Sequence, residues 1–245
     1  MSLQSCDLAK CKRAALRSIH AALLLAAALL VNAAFAASTA KLEEAMSYDG
    51  LEKIRVKGID LAYSRPGATL ASYEKVQIDP IEVAFHKDWD PEKTGSRFKL
   101  SPQERETIRN GVAKLVHEQF VKELQANSGY QVVNAAGPDV LRVKAIIANL
   151  YVNAPDTMTA GRSRTYTSSA GQMTLIAELY DSETGEVLAR VVDRSEARDT
   201  GMMTLSSGVF NIAEARNIAS SWARILRNSL DEAHGIGTKY SPAGK

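Results

Sequence analysis

VLRVKAIIANLYV, residues 140–152, is the stretch that decides the fold. Apolar and basic side chains alternate along it, the apolar ones at Leu141, Val143, Ala145 and Ile147 and the basic ones at Arg142 and Lys144. A period of two is that of a β-strand, whose successive side chains point to opposite faces of a sheet. The stretch therefore predicts a long strand with one face toward a core and the other toward solvent.

Other strands are predicted on both sides of this one. Residues 73–85 (YEKVQIDPIEVAF) alternate on either side of Asp79-Pro80, where the parity changes, so we expect an edge position or a bulge there. Residues 130–133 predict a short strand. Residues 172–180 and 187–194 predict a hairpin, because both alternate and the turn DSETGE with Gly185 separates them.

Two helices complete the pattern. The first begins at Ser101-Pro102-Gln103-Glu104, which supplies an N-cap hydroxyl, a proline at the first position and a capping-box glutamate, and it ends at Asn127-Ser128-Gly129. The second is expected over Ile212–Ala233, with Asn211 as its cap and Glu214 three residues on. The order strand, helix, strands, helix predicts a two-layer α+β domain with a mostly antiparallel sheet and both helices on one face.

The N-terminus reads as an export signal. A basic stretch precedes the apolar run 21–31 (AALLLAAALLV), and the small-x-small triplet Ala34-Phe35-Ala36 predicts cleavage after Ala36. The run is too short to span a bilayer, and no later stretch reaches the ~18 apolar residues that a transmembrane helix needs. We therefore expect a periplasmic protein with no transmembrane segment after cleavage.

Charge and cysteine usage change once this leader is set aside. The whole chain has 30 Lys and Arg residues against 28 Asp and Glu, a formal net charge of +2, but four of the bases and only one acid lie in residues 1–36. The rest is nearly neutral, which argues against nucleic acid as a partner. Both cysteines, Cys6 and Cys11, also lie in the leader, so disulfides and cysteine chemistry are not expected in the mature chain.

The expected domain organisation has four parts. They are a signal peptide (1–36), an extended N-terminal arm (37–72), a single α+β domain (73–235) and a flexible C-terminal tail (236–245). We find no internal repeat.

The sequence offers no convincing catalytic set. The histidines of the mature chain, His86, His117 and His234, are not spaced as metal ligands, so neither a metal nor another cofactor is expected. Ser72-x-x-Lys75 matches a short motif of the serine β-lactamases, but that motif must begin a helix, and here it precedes a predicted strand. We therefore expect a protein that is not an enzyme.

Two segments are candidates for a binding surface. Residues 157–170 contain Arg162, Arg164 and Tyr166 with many hydroxyl groups and no acid, which suits an anionic or glycan surface, although a plain loop between two strands explains them as well. Residues 199–210 mix apolar side chains with glycine and serine, and could form an exposed patch or pack in the core.

Several short segments, in their order along the chain, carry a resemblance. They are Tyr48-Asp49-Gly50-Leu51, Pro66-Gly67 followed by Leu70-Ala71-Ser72-Tyr73, Asp79-Pro80, Leu100-Ser101-Pro102, and Gly137-Pro138-Asp139-Val140-Leu141-Arg142. In this order the chain resembles the bacterial envelope family catalogued as domain of unknown function 3313, whose members are mostly lipoproteins without an assigned activity. Ala36, Ala37 and Ser38 stand where a lipidated cysteine would be needed, so the resemblance does not extend to a lipid anchor.

Three hypotheses about function follow. The first is a non-enzymatic periplasmic binding or assembly module whose partners are envelope proteins. The second is a hydrolase that uses carboxylates such as Asp79, Asp139 and Asp156, which requires two of them to converge within about 5 to 10 Å. The third is a binder of a small apolar ligand between sheet and helices, which requires a closed apolar pocket of at least ~300 Å³.

Overall fold

The computed structural model describes residues 41–89, 101–152, 166–167, 171–196, 204–205 and 208–236. Within them, ten strands and two long helices follow one another from residue 52 onward. The strands are β1 (Glu52–Ile54), β2 (Leu61–Ser64), β3 (Lys75–Ile78), β4 (Glu82–Phe85), β5 (Gln131–Val133), β6 (Val140–Val152), β7 (Tyr166–Thr167), β8 (Gly171–Asp181), β9 (Val187–Glu196) and β10 (Thr204–Leu205). The helices are α1 (Pro102–Gln125) and α2 (Gly208–Ala233).

Two units divide the chain between Tyr48 and Asp49. In the first unit, residues 41–47 are helical. All ten strands and both long helices belong to the second unit. The predicted leader and cleavage site lie outside the described residues.

Eight strands form one sheet in the order β1-β2-β9-β8-β6-β3-β5, with β4 also paired to β6. The longest pairings, β6 with β8 and β8 with β9, are antiparallel, and the hairpin predicted around residues 181–186 joins β8 to β9. β7 and β10 form a separate antiparallel pair. The long strand at the centre has the bounds that the alternation predicted.

Parallel pairing at one edge is a detail that the sequence pattern did not show. β3 and β4 both run parallel to β6, and β3 also runs parallel to β5. The cause is α1, which returns the chain to the same end of the sheet before β5 and β6 begin, as a crossover between parallel strands requires. β3 and β4 follow one another along β6, and the break between them falls at Asp79-Pro80, where the parity of the sequence changes.

Helix α1 begins as predicted. The hydroxyl of Ser101 accepts a hydrogen bond from the backbone N–H of Glu104, and the Glu104 carboxylate accepts one from the backbone N–H of Ser101 at 2.7 Å. This reciprocal pair satisfies two of the donors that a helix start leaves without partners. The helix ends before Asn127 and Ser128, which both have positive φ.

Helix α2 begins earlier than predicted. The sequence pattern placed its N-cap at Asn211, but the helix starts at Gly208, so Asn211 lies inside the first turn. An Asn followed three residues later by Glu is a short pattern that also occurs within helices. Its capping geometry depends on the preceding backbone, which the pattern does not specify.

The two sheet faces differ as expected. The inner face carries Leu141, Val143, Ala145 and Ile147 of β6, and these pack in one core with Phe120 and Leu124 of α1 and Trp222 and Leu230 of α2. Arg142 and Lys144 on the outer face are exposed. The prediction of a two-layer α+β domain with both helices on one face is confirmed.

Part of the segment that we expected to be an extended arm belongs to this sheet. β1 and β2 lie within residues 37–72, and β2 pairs antiparallel with β9 through Leu61↔Val192, Ala62↔Val191 and two further pairs. Strands of three and four residues are too short to show a period of two in the sequence. β1 pairs only with β2, and β2 is attached to the sheet through β9, which is more than 120 residues away, so no local signal marks them.

Candidate functional site

A buried carboxylate organises the region where β2, β9 and α2 meet. Asp193 of β9 is 1% exposed, and its side chain accepts hydrogen bonds from Trp222 Nε1 at 2.7 Å, Ser195 Oγ at 3.0 Å and the backbone N–H of Asp60 at 3.2 Å. The Asp60 carboxylate in turn accepts from the backbone N–H of Arg194 at 2.9 Å. These bonds hold α2 and the start of β2 against β9, and they fix the Trp222 ring over the inner face.

Next to Trp222, the sheet and the helical layer are not packed tightly against each other. A cavity of about 270 Å³ lies between the inner face of the sheet, α2 and the segment 54–70. Its walls are almost entirely apolar. They are formed by Ile54, Val56, Ile59, Tyr63, Ser64, Ala68, Leu70, Phe120, Val143, Leu175, Ala177, Leu179, Leu188, Ala189, Val191, Trp222, Ile225, Leu226 and Ser229.

Small side chains on the strands leave room for this cavity. Ala177 of β8 and Ala189 of β9 lie in its wall, where the neighbouring positions carry leucine and valine. Alanine fills much less of the space between sheet and helix than those residues. Packing in protein cores is normally tight enough to leave few such voids. The cavity therefore depends on the small side chains of Ala177 and Ala189.

The loop that joins β1 to β2 forms the outer wall. Gly58 in this loop has φ +86°, and a Cβ at this position would lie 3.1 Å from Cδ1 of Ile225 on α2. Glycine thus permits both the backbone conformation and the close approach to the helix. Ile54 beside the loop is 40% exposed, so the cavity is open to solvent on this side instead of closed.

The chemistry available inside the cavity is limited. Of the described residues that line it, none carries a carboxylate, an imidazole, a thiol or an amine. Ser229 already donates its hydroxyl hydrogen bond to the carbonyl of Ile225 at 3.0 Å. The arrangement can exclude water from an apolar molecule, and it presents neither a general base nor a metal ligand.

The carboxylates proposed for hydrolysis lie elsewhere. Asp79 accepts two hydrogen bonds from Arg142 Nε and one from Nη2, at 2.8 to 3.1 Å, whereas Asp139 pairs with Lys75 at 2.8 Å. The hydrogen bond from Lys75 lowers the pKa of Asp139. Each carboxylate is neutralised by its own base, at opposite ends of β3. Asp156 lies outside the described residues.

The outer face carries the other notable polar group of the sheet. Arg190 binds both Glu178, at 2.6 Å, and Asp49, at 2.7 Å, and Tyr180 donates its hydroxyl hydrogen bond to Glu178. Burial, together with this bond, raises the pKa of Tyr180 to about 12. Burial alone would raise the pKa of Glu178, but the bonds from Tyr180 and Arg190 lower it. The charged and hydroxyl groups of this network are hydrogen-bonded to one another, as expected of a structural network.

The binding loop proposed from the sequence is placed only in part. Arg162 and Arg164 lie outside the described residues. Tyr166 begins β7, where its backbone pairs with Leu205 of β10. The predicted anionic or glycan site therefore stays a prediction. The histidines stand apart: His117 lies on α1, His86 follows β4, and His234 Nδ1 is 2.8 Å from the carbonyl oxygen of Leu230.

Sequence reasoning missed most of the cavity. It located the inner faces of β6 and β8 and the apolar stripe of α2, but it assigned residues 54–70 to an arm. The alternation Ile54-Arg55-Val56-Lys57 was the available signal. It covers only four residues and is interrupted by Gly58.

Two further properties of the described residues bear on function. None of their helices is long and apolar enough to cross a membrane. Nor do they contain a group of three or more His, Cys, Asp or Glu side chains placed to hold a metal ion.

Comparison with known proteins gives a family but no activity. The model of a family described as "Protein of unknown function (DUF3313)" matches residues 41–226. No curated protein matches the chain.

Solved structures that are similar share little sequence with it. Protein XCC0632 from Xanthomonas campestris is 10% identical, with 73% of this chain and 94% of that one covered and a TM-score of 0.41. A chain of the PelC dodecamer from Paraburkholderia phytofirmans is 11% identical, with 68% and 96% covered and a TM-score of 0.33. Likenesses at these scores carry no argument about function.

Proposed function

This chain belongs to the DUF3313 family of proteins of unknown function, and from that premise we propose that it is an exported envelope protein that binds a small apolar ligand without transforming it. The cavity between α2, the inner sheet face and the loop before β2 supports this proposal. A concave apolar space with few polar groups is the usual form of a ligand site.

The size of the cavity limits the ligand. Sites for drug-sized molecules have volumes of roughly 300 to 1,000 Å³. The observed volume of about 270 Å³ is slightly below both that range and the threshold that we set from the sequence, and the cavity is open beside Ile54, whereas that hypothesis required a closed pocket. One alkyl chain or one aromatic molecule of two or three rings fits a space of this size, whereas a lipid with two acyl chains does not fit as a whole.

Catalysis is not part of the proposal, for a chemical reason. Acid–base or nucleophilic catalysis requires a reactive group within hydrogen-bond reach of the bound substrate. Among the described residues that line the wall, the hydroxyl groups are those of Ser64, Ser229 and Tyr63, and none of the other described lining residues is a base. A ligand held there is bound and released unchanged.

Export is proposed from residues 1–36 alone. They combine a basic stretch, a short apolar run and a small-x-small cleavage motif, which is the composition of a secretory signal. A periplasmic address suits a protein that carries or senses an apolar compound between membranes. Envelope proteins remain the proposed partners on the same ground.

The test is a binding measurement with an uncharged fluorophore, N-phenyl-1-naphthylamine, and protein purified from cells that produce the full chain. We expect saturable binding, and at least tenfold weaker binding to Ala177→Leu, because leucine fills the space beside Trp222. Filling a cavity commonly stabilises a protein by about 0.5–2 kcal/mol. Urea unfolding of A177L should therefore show stability that is retained or raised.

Ala148→Leu is the matched control. Ala148 pairs with Thr174 on the outer face, so the same substitution there leaves the cavity unchanged and should leave affinity unchanged. Ala189→Leu is a second filling variant, in case A177L does not fold. Absence of saturable binding to the unaltered protein would overturn the proposal, as would full affinity in folded A177L and A189L.

A further inference from the structure

Of the polar side chains described in the cavity wall, that of Ser64 is available to a ligand. Ser229 donates its hydroxyl hydrogen bond to the carbonyl of Ile225 on its own helix, at 3.0 Å. The indole N–H of Trp222 is engaged by Asp193 at 2.7 Å. Ser64 is half-buried, and within the described chain no hydrogen bond engages its hydroxyl. A serine hydroxyl both donates and accepts, so it can bond to a polar atom of a ligand.

The register of the sheet directs the Ser64 side chain toward the cavity. Ser64 pairs with Ala189 of β9, and Ala62, two residues earlier on β2, pairs with Val191. Ala189 and Val191 both line the cavity, and side chains two apart on a strand share a face. Tyr63 lies between Ala62 and Ser64, so its ring points to the outer face. The hydroxyl of Ser64 therefore faces the cavity, whereas that of Tyr63 does not.

The neighbours of Ser64 on this face leave its hydroxyl uncovered. Directly opposed side chains on antiparallel strands have Cβ atoms about 4.5–5.5 Å apart. The methyl group of Ala189 covers little of the hydroxyl at this separation, whereas a larger side chain would shield it. The partner on the other side, Glu52 of β1, is exposed, and no hydrogen bond joins the described side chains of Glu52 and Ser64. The hydroxyl thus borders the cavity next to Ala189.

We propose that the ligand is an uncharged, largely apolar molecule with one carbonyl or hydroxyl oxygen, and that the Ser64 hydroxyl binds this oxygen. The inference rests on the proposed function, since it names the ligand class of the same site. None of the described lining residues carries a charge, so a charged group in the cavity would lose its hydration without gaining a partner. A single oxygen also loses hydration, but the bond with Ser64 replaces it. Ser64 thereby orients the ligand, with its oxygen at β2 and its apolar part along the remaining wall.

Three naphthalenes of similar shape separate these contributions. 2-Acetylnaphthalene carries a carbonyl oxygen, 2-isopropenylnaphthalene replaces that oxygen with a methylene group, and 2-naphthoate is an anion. Each is titrated as a competitor of N-phenyl-1-naphthylamine against the unaltered protein and Ser64→Ala. The preference for the ketone is the dissociation constant of the alkene divided by that of the ketone. Because both proteins take the ligands from the same solution, differences in ligand hydration cancel when the two preferences are compared.

Ser64→Ala should lower the preference for the ketone about three- to tenfold, which is the contribution of one hydrogen bond, and it should leave the affinity for the alkene unchanged. Ser229→Ala is the matched control. The Ser229 hydroxyl is already engaged with Ile225, so the preference should stay as it is in the unaltered protein. 2-Naphthoate should bind to the unaltered protein at least about tenfold more weakly than the ketone, because its charge finds no partner in the wall.

Two variants of equal shape test whether the hydroxyl itself is responsible. Ser64→Thr keeps the hydroxyl, whereas Ser64→Val has a methyl group in its place, and both residues suit a strand. S64T should keep the preference for the ketone, and S64V should lose it. Equal preferences in these two folded variants would overturn the assignment of the Ser64 hydroxyl.

The remaining outcomes separate this inference from the proposed function. If ketone and alkene both bind but S64A keeps the preference, or if S229A lowers it equally, the role of Ser64 is wrong and the apolar site stands. Binding of 2-naphthoate as tight as that of the ketone would overturn the uncharged ligand. If neither the ketone nor the alkene displaces the fluorophore, the proposed function fails, and the inference fails with it.

Discussion

Asp193 and Trp222 form the contact that most directly holds the cavity in shape. The carboxylate is almost completely buried, and the indole N–H is one of three donors described for it. A hydrogen bond to a charged acceptor in such a place contributes more than one between neutral groups. The sequence predicted Trp222 as a core residue of the last helix, but its polar partner on β9 is 29 residues away and was not predictable from spacing.

Trp222→Phe tests this contact. Phenylalanine keeps much of the apolar surface and removes the donor, so we expect the free energy of unfolding to fall by about 2 kcal/mol. Trp89→Phe is the matched control, because Trp89 Nε1 donates to a neutral acceptor, the carbonyl of Val152, at 3.0 Å. Urea unfolding should show a smaller loss for W89F, and equal losses would contradict a special role for the buried carboxylate.

The hairpin turn between β8 and β9 is hydrogen-bonded to the segment just before β3. Asp181 accepts hydrogen bonds from the backbone N–H groups of Glu183 and Thr184 within the turn, and from the hydroxyl of Tyr73 at 3.0 Å. The backbone hydrogen bond from Thr184 is the main cause that lowers the pKa of Asp181. Burial, together with the contact to Asp181, raises the pKa of Tyr73 to about 12.

The raised pKa of Tyr73 gives a prediction in alkali. A folded-state pKa above the unfolded value near 10 means that the stabilisation is complete below pH 10 and is lost as pH rises from about 10 to 12. Tyr73→Phe should cost about 1 kcal/mol at pH 7, and it should reduce the loss of stability across that alkaline range. Unfolding curves collected from pH 8 to 12 make the comparison. The same slope in both proteins would contradict the assignment.

The elements differ in how well the sequence predicted them, and the difference has a physical basis. The central strand β6 and the start of α1 follow from local rules, the alternation of Val140–Val152 and the capping box at Ser101, and both are confirmed. β2 depends on pairing with β9, far away along the chain, and β1 depends on pairing with β2. The cavity depends on them in turn, so its site could not be derived from local patterns.

The described chain forms a two-layer domain, and the sequence before it predicts an export leader. Helix α1 returns the chain to the same end of the sheet, which makes the edge strands parallel. The β1–β2 segment returns to β9 and forms a wall of the open cavity between the sheet and α2. Neither the described fold nor the family match says where in the cell the protein is located. Export is therefore inferred from residues 1–36 alone, and it can be tested independently of the ligand.

The predicted cleavage after Ala36 would make two measurable changes at once. Mass spectrometry of the protein from the exported fraction should find Ala37 as its first residue. Thiol titration of the unfolded protein should find no cysteine, because Cys6 and Cys11 both precede the cleavage site. A chain that begins at Met1 and contains two thiols would contradict both expectations. Replacing Ala34 and Ala36 with bulky residues should block processing, because signal cleavage requires small side chains at these positions.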